Sequence, residues 1–354
     1  MKSPPRILTT EQAPGSIHLV SGSSQICRCV MRSIFLVLFS LTVSVALGDE
    51  PTAKSSFAAE LGMEFVKIPA GSFTMGSNET VEDLKKAGFV SPEGFDSGDE
   101  SPARTVRMSA FRMQTTEVTR GQFAEFVRST NYKTDAENDA KGGVGFNADT
   151  GDFERHPRYN WRNAGFPQTD KHPVVNVSWN DADAFATWLT SESRKKAESV
   201  RYLLPTEAQF EYAMRAGATT RFATGDNPQS LDGHANVQDA SLERRVPNLD
   251  YANYPSFSFD DGVAFTAVVG SYPKNAFGLS DMHGNVFEWC RDWYDAKYYA
   301  AAPDQDPPGP SSGSFRVLRG GSWYLAPFNV RCASRNNSTP ENRGNSLGFR
   351  LVLE

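Results

Sequence analysis

Residues 281–288 read DMHGNVFE and place two carboxylates on either side of a Gly-Asn turn. Such a turn can curl and direct main-chain carbonyls toward the side chains of Asp281 and Glu288. Carboxylate and carbonyl oxygens without a soft ligand suit calcium better than zinc or copper. The stretch therefore indicates a calcium site, although the same pattern also fits a surface loop with two solvated acids.

Short strands are expected upstream of this stretch. Residues 65–68 and 72–75 flank a Pro-Ala-Gly turn, and residues 106–113 alternate as a further strand. The polar segments 77–103 and 133–171 are expected to be long loops. The 28 glycines and 21 prolines of the chain also favour a loop-rich fold.

Three helices are predicted from capping signals and apolar spacing. The first begins after the capping box of Thr119 and Gln122, and the third begins after Thr206 and ends at Gly217. Between them, four apolar residues lie on one helix face: Ala182, Phe185, Ala186 and Leu189. No repeat or compositional break divides residues 61–354, so one domain is expected.

Composition and motifs exclude several classes of protein. The chain has 36 basic and 42 acidic residues among 354, and this net charge of −6 argues against a nucleic-acid partner. The H-E-x-x-H, G-x-S-x-G and C-x-x-C motifs are absent, as are the phosphate loop and the kinase elements.

Residues 1–48 have the pattern of a secretory signal peptide. The apolar run 34–47 follows Met31-Arg32, and Ala46 and Gly48 supply the small residues of a cleavage site. Met31 is itself a plausible start. We expect a secreted or periplasmic protein without stable membrane insertion after cleavage. A retained anchor is the alternative, but the run is shorter than the roughly 20 residues of a spanning helix. Residues 49–60 are expected to be a polar linker.

Two cysteines remain after such a cleavage, Cys290 and Cys332. The leader carries four basic residues and one acid, so the remaining chain has a net charge of −9. In an oxidising compartment the two cysteines are a disulfide candidate. Two buried free thiols are the alternative, and the sequence leaves both open.

Residues 61–354 resemble the formylglycine-generating enzyme, or sulfatase-modifying factor, superfamily. The resemblance is carried by motifs in the same order: FVKIPAGSFTMG at 65–76, EVT at 117–119, HPVV at 172–175, VSW at 177–179, LPTE at 204–207, FGL at 277–279, GNV at 284–286, EW at 288–289, RGGSW at 319–323, RCA at 331–333 and GFR at 348–350. It implies an α+β fold: a single C-type-lectin-like domain with little regular secondary structure.

The resemblance also implies two structural calcium sites. Carried over residue by residue, the first set is Asp281, Gly284, Val286 and Glu288, and the second is Asn236, Val237, Asp261 and Val263.

Copper is not expected, and no catalytic residue is assigned. Enzymes of the family bind copper through two cysteines in a pattern like G-G-S-x-x-C-x-x-x-x-C. Residues 320–332 read GGSWYLAPFNVRC, so Leu325 occupies the first cysteine position and the segment is shorter before Cys332. Cys332 matches a structural cysteine of the family.

We therefore expect a calcium-stabilised binding or auxiliary module. It would present a groove near Trp323–Asn329 to a peptide, a glycan or an exported protein partner. The alternative is an oxidoreductase that generates formylglycine on exported sulfatases, or that carries out a related oxidation on the same scaffold.

Overall fold

The computed structural model describes residues 56–90 and 97–354. The expected signal peptide and Met31 lie outside the described residues. The helices are α1 (Phe57–Glu60), α2 (Val81–Lys86), α3 (Arg120–Thr130), α4 (Asp135–Asn138), α5 (Trp179–Lys195), α6 (Glu207–Arg215) and α7 (Ala240–Arg245). Short 3-10 turns lie at Gly98–Glu100, Pro228–Leu231, Tyr298–Ala300 and Pro327–Val330.

Twelve short strands accompany the helices in the described ranges. They are β1 (Phe65–Ile68), β2 (Gly71–Met75), β3 (Arg104–Met108), β4 (Phe111–Gln114), β5 (Gly143–Asn147), β6 (Asp152–His156), β7 (Tyr202–Leu203), β8 (Phe287–Trp293), β9 (Arg316–Arg319), β10 (Asn336–Ser338), β11 (Leu347–Gly348) and β12 (Val352–Leu353). They form two four-stranded sheets, ordered β1-β4-β12-β7 and β10-β9-β8-β11, and two two-stranded sheets, β2-β3 and β5-β6. The predicted α+β class is confirmed.

The three predicted helices are confirmed by their caps and buried faces. The Thr119 hydroxyl accepts from the Gln122 amide at 3.2 Å, and the Gln122 side chain accepts from the Thr119 amide at 2.9 Å. Thr206 begins α6 with the same reciprocal pair, and the helix ends where Ala216 turns left-handed at φ 45° before Gly217. The predicted apolar face of α5 is buried.

Three of the predicted segments differ from the structure. The predicted strand 106–113 is two strands, β3 and β4, and the strands around the Pro-Ala-Gly turn pair with these rather than with each other. The expected loop 77–103 contains α2, and the expected loop 133–171 contains α4 and the β5-β6 hairpin.

The predicted linker 49–60 also ends earlier than expected. Ser56 caps α1, and the Phe57 ring packs on Trp188 of α5 with centroids 5.5 Å apart. The amide of Phe57 donates to Glu198 at 2.8 Å. Because this apolar side chain is packed and its amide is paired, residues 57–60 belong to the folded domain rather than to a linker.

Aromatic packing forms the largest part of the core. Phe123 and Phe126 of α3 contact Phe185 of α5, with centroids 5.9 and 5.7 Å apart. A second cluster lies around α6 and includes both Cys290 and Cys332. The parallel register of β8 and β11 pairs Glu288 with Gly348, which brings the chain end beside the 281–288 stretch. No helix in residues 56–90 or 97–354 is both long and apolar enough to cross a membrane.

Candidate functional site

Three buried carboxylates meet one buried arginine at the 281–288 stretch. Glu117, Asp281 and Glu288 are 0%, 3% and 0% exposed, and Arg350 is 0% exposed. The Arg350 guanidinium donates to both carboxylate oxygens of Glu288, from Nη2 to Oε1 at 2.7 Å and from Nε to Oε2 at 2.8 Å. The predicted acids are therefore not solvated, and the surface-loop alternative is wrong.

Two carboxylate oxygens of this cluster accept from no N–H group or hydroxyl among the described residues. They are Oε2 of Glu117 and Oδ1 of Asp281. The other oxygen of each is occupied, by Nδ2 of Asn285 at 2.9 Å and by the Gly270 amide at 2.6 Å. Burial, followed by the charge of Asp281, raises the pKa of Glu117 well above its usual range. The Glu117 and Asp281 side chains also lie within hydrogen-bonding reach of each other, so a protonated Glu117 can donate to Asp281. When both carboxylates are ionised, their unpaired oxygens are ligands of the kind that a hard cation takes.

The backbone of this turn requires its glycine. Gly284 has φ 77°, and a Cβ there would lie 2.1 Å from the Asn236 carbonyl oxygen. Asp281 and Asn285 also have positive φ, 59° and 51°. Aspartate and asparagine tolerate this left-handed region better than most residues, so the local sequence matches the turn.

Asn236, a member of the second predicted calcium set, hydrogen-bonds to the turn that contains the first set. Its carbonyl accepts from the Asn285 amide at 2.7 Å, and its Nδ2 donates to the side chain of Asn285 at 3.1 Å and to the Phe265 carbonyl at 2.7 Å. Its Oδ1 is buried and has no partner within the described residues. This amide oxygen is a third unpaired, buried oxygen beside the 281–288 stretch.

The fold brings only some residues of the second predicted calcium set close to one another. Asp261 accepts from the Val263 amide at 2.7 Å and from the Tyr272 hydroxyl at 2.6 Å, and its own amide donates to Asp239 at 2.6 Å. In the described part of the chain, no hydrogen bond joins Asp261 to Asn236, and the Val237 side chain packs in the core. Burial, with the nearby charge of Asp239 adding to it, raises the pKa of Asp261 to about 6.

Four residues of these sites were missed from the sequence: Glu117, Asp239, Asn285 and Arg350. Three of them carried a signal, since Glu117, Asn285 and Arg350 lie within motifs of the family resemblance. Asp239 is the N-cap of α7, and its side chain accepts from the Ser241 amide. Within the described ranges, no three His, Cys, Asp or Glu side chains converge as a metal site. A cation here would therefore also depend on amide and main-chain oxygens, as the predicted Gly284 and Val286 ligands require.

Cys290 and Cys332 are buried, unbonded thiols in the structure, which is the second of the two alternatives drawn from the sequence. Sγ of Cys332 lies 3.9 Å from Nε2 of His283. That nitrogen already accepts from the Ala223 amide at 3.0 Å, and Nδ1 faces the Val330 carbonyl at 2.8 Å. The imidazole is therefore held neutral, and burial lowers its pKa to about 4. It does not act as a base toward the thiol.

We expect both thiols to be unreactive in the folded protein. Burial raises the pKa of Cys332 to about 11 and that of Cys290 well above its usual range, so neither forms the reactive thiolate at neutral pH. Labelling of the chain without residues 1–48 with a thiol reagent should count no accessible group in the native protein and two in denaturant. Two labelled thiols under native conditions, or none after denaturation without reductant, would contradict this assignment.

The segment 323–329 does not form the expected groove in the described part of the chain. Trp323 and Phe328 are 1% and 0% exposed, and Leu325 packs against buried core residues. The Pro-Phe-Asn-Val run closes into a 3-10 turn that turns its apolar side chains inward. The groove prediction is therefore wrong at this place.

A cleft of about 550 Å³ lies instead between the two-stranded sheet β2-β3 and the end of α6. We call it the β2–α6 cleft. The residues lining it are Gly71, Ser72, Phe73, Thr74, Gly76, Ser77, Glu79, Thr105, Tyr212, Arg215, Gly217, Ala218, Thr219, Thr220, Arg221, Asp226, Phe277, Arg331 and Ala333. Its volume is in the usual range for small-molecule sites.

Comparison with known proteins identifies the family. A family model described as a sulfatase-modifying factor enzyme 1-like domain matches residues 52–354. The chain belongs to this family. The family resemblance predicted from the motifs is thereby confirmed.

Relatives and solved structures agree with this assignment. The chain is 36% identical over 309 residues to a formylglycine-generating enzyme of Streptomyces coelicolor, an alignment that covers 81% of this chain and 88% of that protein. It is 32% identical over 315 residues to the formylglycine-generating enzyme of Mus musculus, covering 82% and 75%. Among solved structures, PvdO from Pseudomonas aeruginosa superposes with a TM-score of 0.60 at 28% identity, covering 82% of this chain and 94% of PvdO.

Proposed function

We propose that this chain is an exported, calcium-stabilised binding module of the sulfatase-modifying factor family that lacks the family's copper-thiolate chemistry. The proposal rests on the position of Cys290 and Cys332. Both are buried, and neither is among the residues that line the β2–α6 cleft. Arg331 and Ala333 line the cleft, but the side chain of Cys332 between them is 0% exposed. The cleft can hold a ligand, and neither Cys290 nor Cys332 lines it.

Ligand chemistry supports the absence of a copper centre. Copper(I) needs soft thiolate or thioether ligands. Leu325, at the position of the family's first copper cysteine, is an apolar side chain packed against the core. Cys290 and Cys332 are held as neutral thiols by burial, which disfavours the thiolate that a metal requires.

Calcium would have a structural role at the cluster around Arg350. Asp281 would contribute a carboxylate oxygen, and Gly284 and Val286 main-chain oxygens, while Glu288, whose two oxygens already accept from Arg350, would have to share one of them with the cation. The unpaired oxygens of Asp281 and Asn236 fit a hard cation, which would neutralise part of the buried negative charge. Export rests on the apolar run 34–47 and its flanks.

A second candidate function is formylglycine generation. The 36% identity to an enzyme that carries that name favours it. It would require a reactive centre other than the two-cysteine copper pattern.

The two candidates are separated by a peptide oxidation assay. We expect copper-loaded, calcium-saturated protein to leave a Cys-x-Pro-x-Arg peptide unchanged in the presence of reductant and oxygen, because no pair of thiolates is available. Peptide mass is the readout, and the Streptomyces coelicolor relative is the positive control. Conversion that disappears in Cys290→Ala or Cys332→Ala would establish the oxidase instead. Copper and iron content after purification gives an independent check.

A further inference from the structure

The β2–α6 cleft has an aromatic wall. Phe73 and Phe277 are half-buried and both pack against Tyr212, with ring centroids 5.2 and 5.4 Å apart. Tyr212 is 5% exposed, and its hydroxyl donates to the Pro69 carbonyl at 3.1 Å. The three rings are therefore fixed before a ligand arrives, and two of them offer apolar surface to the cleft.

Hydroxyl groups line other parts of the same cleft. Four exposed side chains have no side-chain hydrogen bond within the described residues: Ser72, Thr74, Thr105 and Thr219. Each hydroxyl can donate one hydrogen bond and accept two. The cleft thus combines an apolar wall with groups that can donate to and accept from the same ligand.

The charged groups that line the cleft are largely paired already. Its three arginines each contact a glutamate: Arg221–Glu79 at 2.5 Å, Arg215–Glu211 at 2.9 Å and Arg331–Glu100 at 2.6 Å. Asp226 lies 3.9 Å from Arg221. An anionic or cationic ligand would have to compete with these existing partners, so the cleft favours a neutral ligand.

We infer that the β2–α6 cleft binds a neutral carbohydrate. A sugar ring has apolar C–H faces that suit Phe73 and Phe277, and a rim of hydroxyls that suits the serine and threonine side chains. The volume of about 550 Å³ admits a short oligosaccharide. This inference rests on the proposed binding function and names the ligand class of that site.

The test is calorimetric titration of the folded, calcium-saturated protein with a panel of neutral tetrasaccharides: maltotetraose, cellotetraose, xylotetraose and mannotetraose. We expect at least one to bind, and Phe277→Ala to weaken it on the order of tenfold by removing one stacking face. Phe315→Ala, which truncates an exposed ring outside the cleft lining, is the matched control and should not change the affinity.

A second variant, Thr219→Arg, tests the cleft without changing the packing that Phe277→Ala disturbs. Thr219 is an exposed loop residue, so a larger side chain there would fill the cleft without altering the core. It should also weaken binding on the order of tenfold or more. Failure of all four sugars to bind would overturn the inference, as would binding that neither cleft variant affects. Binding of a charged peptide or of oligogalacturonate that Thr219→Arg blocks would reject the neutral sugar but leave the proposed binding function standing.

Discussion

Replacing Arg350 by methionine is expected to destabilise the domain by about 3–5 kcal/mol. Arg350 is 0% exposed, donates from two nitrogens to the carboxylate of Glu288 and donates to the Ser280 carbonyl at 3.0 Å. Methionine keeps much of the side-chain volume but leaves the carboxylates of Glu117, Asp281 and Glu288 without this positive charge. An uncompensated buried charge costs far more than the pair contributes while intact. The measurement is the free energy of unfolding in denaturant, with calcium absent.

A matched arginine on the surface provides the control. Arg128 of α3 pairs with Glu125, but its side chain is 73% exposed. Arg128→Met should change the unfolding free energy by no more than about 1 kcal/mol, since exposed ion pairs contribute little. Equal effects of the Arg350 and Arg128 variants would refute the role given to the buried cluster.

Calcium is expected to raise the stability of the protein by about 2.7 kcal/mol at a hundredfold excess over its dissociation constant. A ligand that binds only the folded state stabilises it by mass action, so a chelator should lower the melting temperature. The unpaired oxygens of Asp281 and Asn236 supply the physical reason, because cation binding would satisfy buried oxygens that accept from no N–H group or hydroxyl among the described residues. The measurement is the thermal melt with calcium and with chelator.

Asp281→Gly should abolish most of this calcium-dependent increment. Glycine accepts the φ of 59° at this position, so the turn is kept while the carboxylate is lost. Asp281→Asn is the matched variant, and it should keep part of the increment because the amide retains one oxygen. Glu288→Gln, the obvious choice from sequence, is less suitable, because it would leave Arg350 buried with a weakened partner. Identical melts with calcium and chelator in the unchanged protein would reject the site.

Local elements were predictable from the sequence because their determinants lie within a few residues. The capping boxes at Thr119 and Thr206 fix where α3 and α6 begin, and each is closed by a residue three positions on. The same holds for the strands around the Pro-Ala-Gly turn. Their partners were not predictable, because the paired residues of β1 and β2 lie between 29 and 49 residues further along the chain. Strands this short carry too little pattern to specify a register.

For the candidate sites as well, some features follow from the sequence alone and others only from the tertiary structure. The sequence by itself determined the family, the turn at Gly284 and the two acids of the 281–288 stretch, since these depend on residue type and close spacing. Only the tertiary structure placed Glu117, 168 residues from Asn285, in the same cluster. It also buried both thiols, and it placed the cleft at the end of α6 rather than at 323–329. The physical reason is that burial, pairing of charges and cavity shape arise from contacts between distant segments, which no local pattern contains.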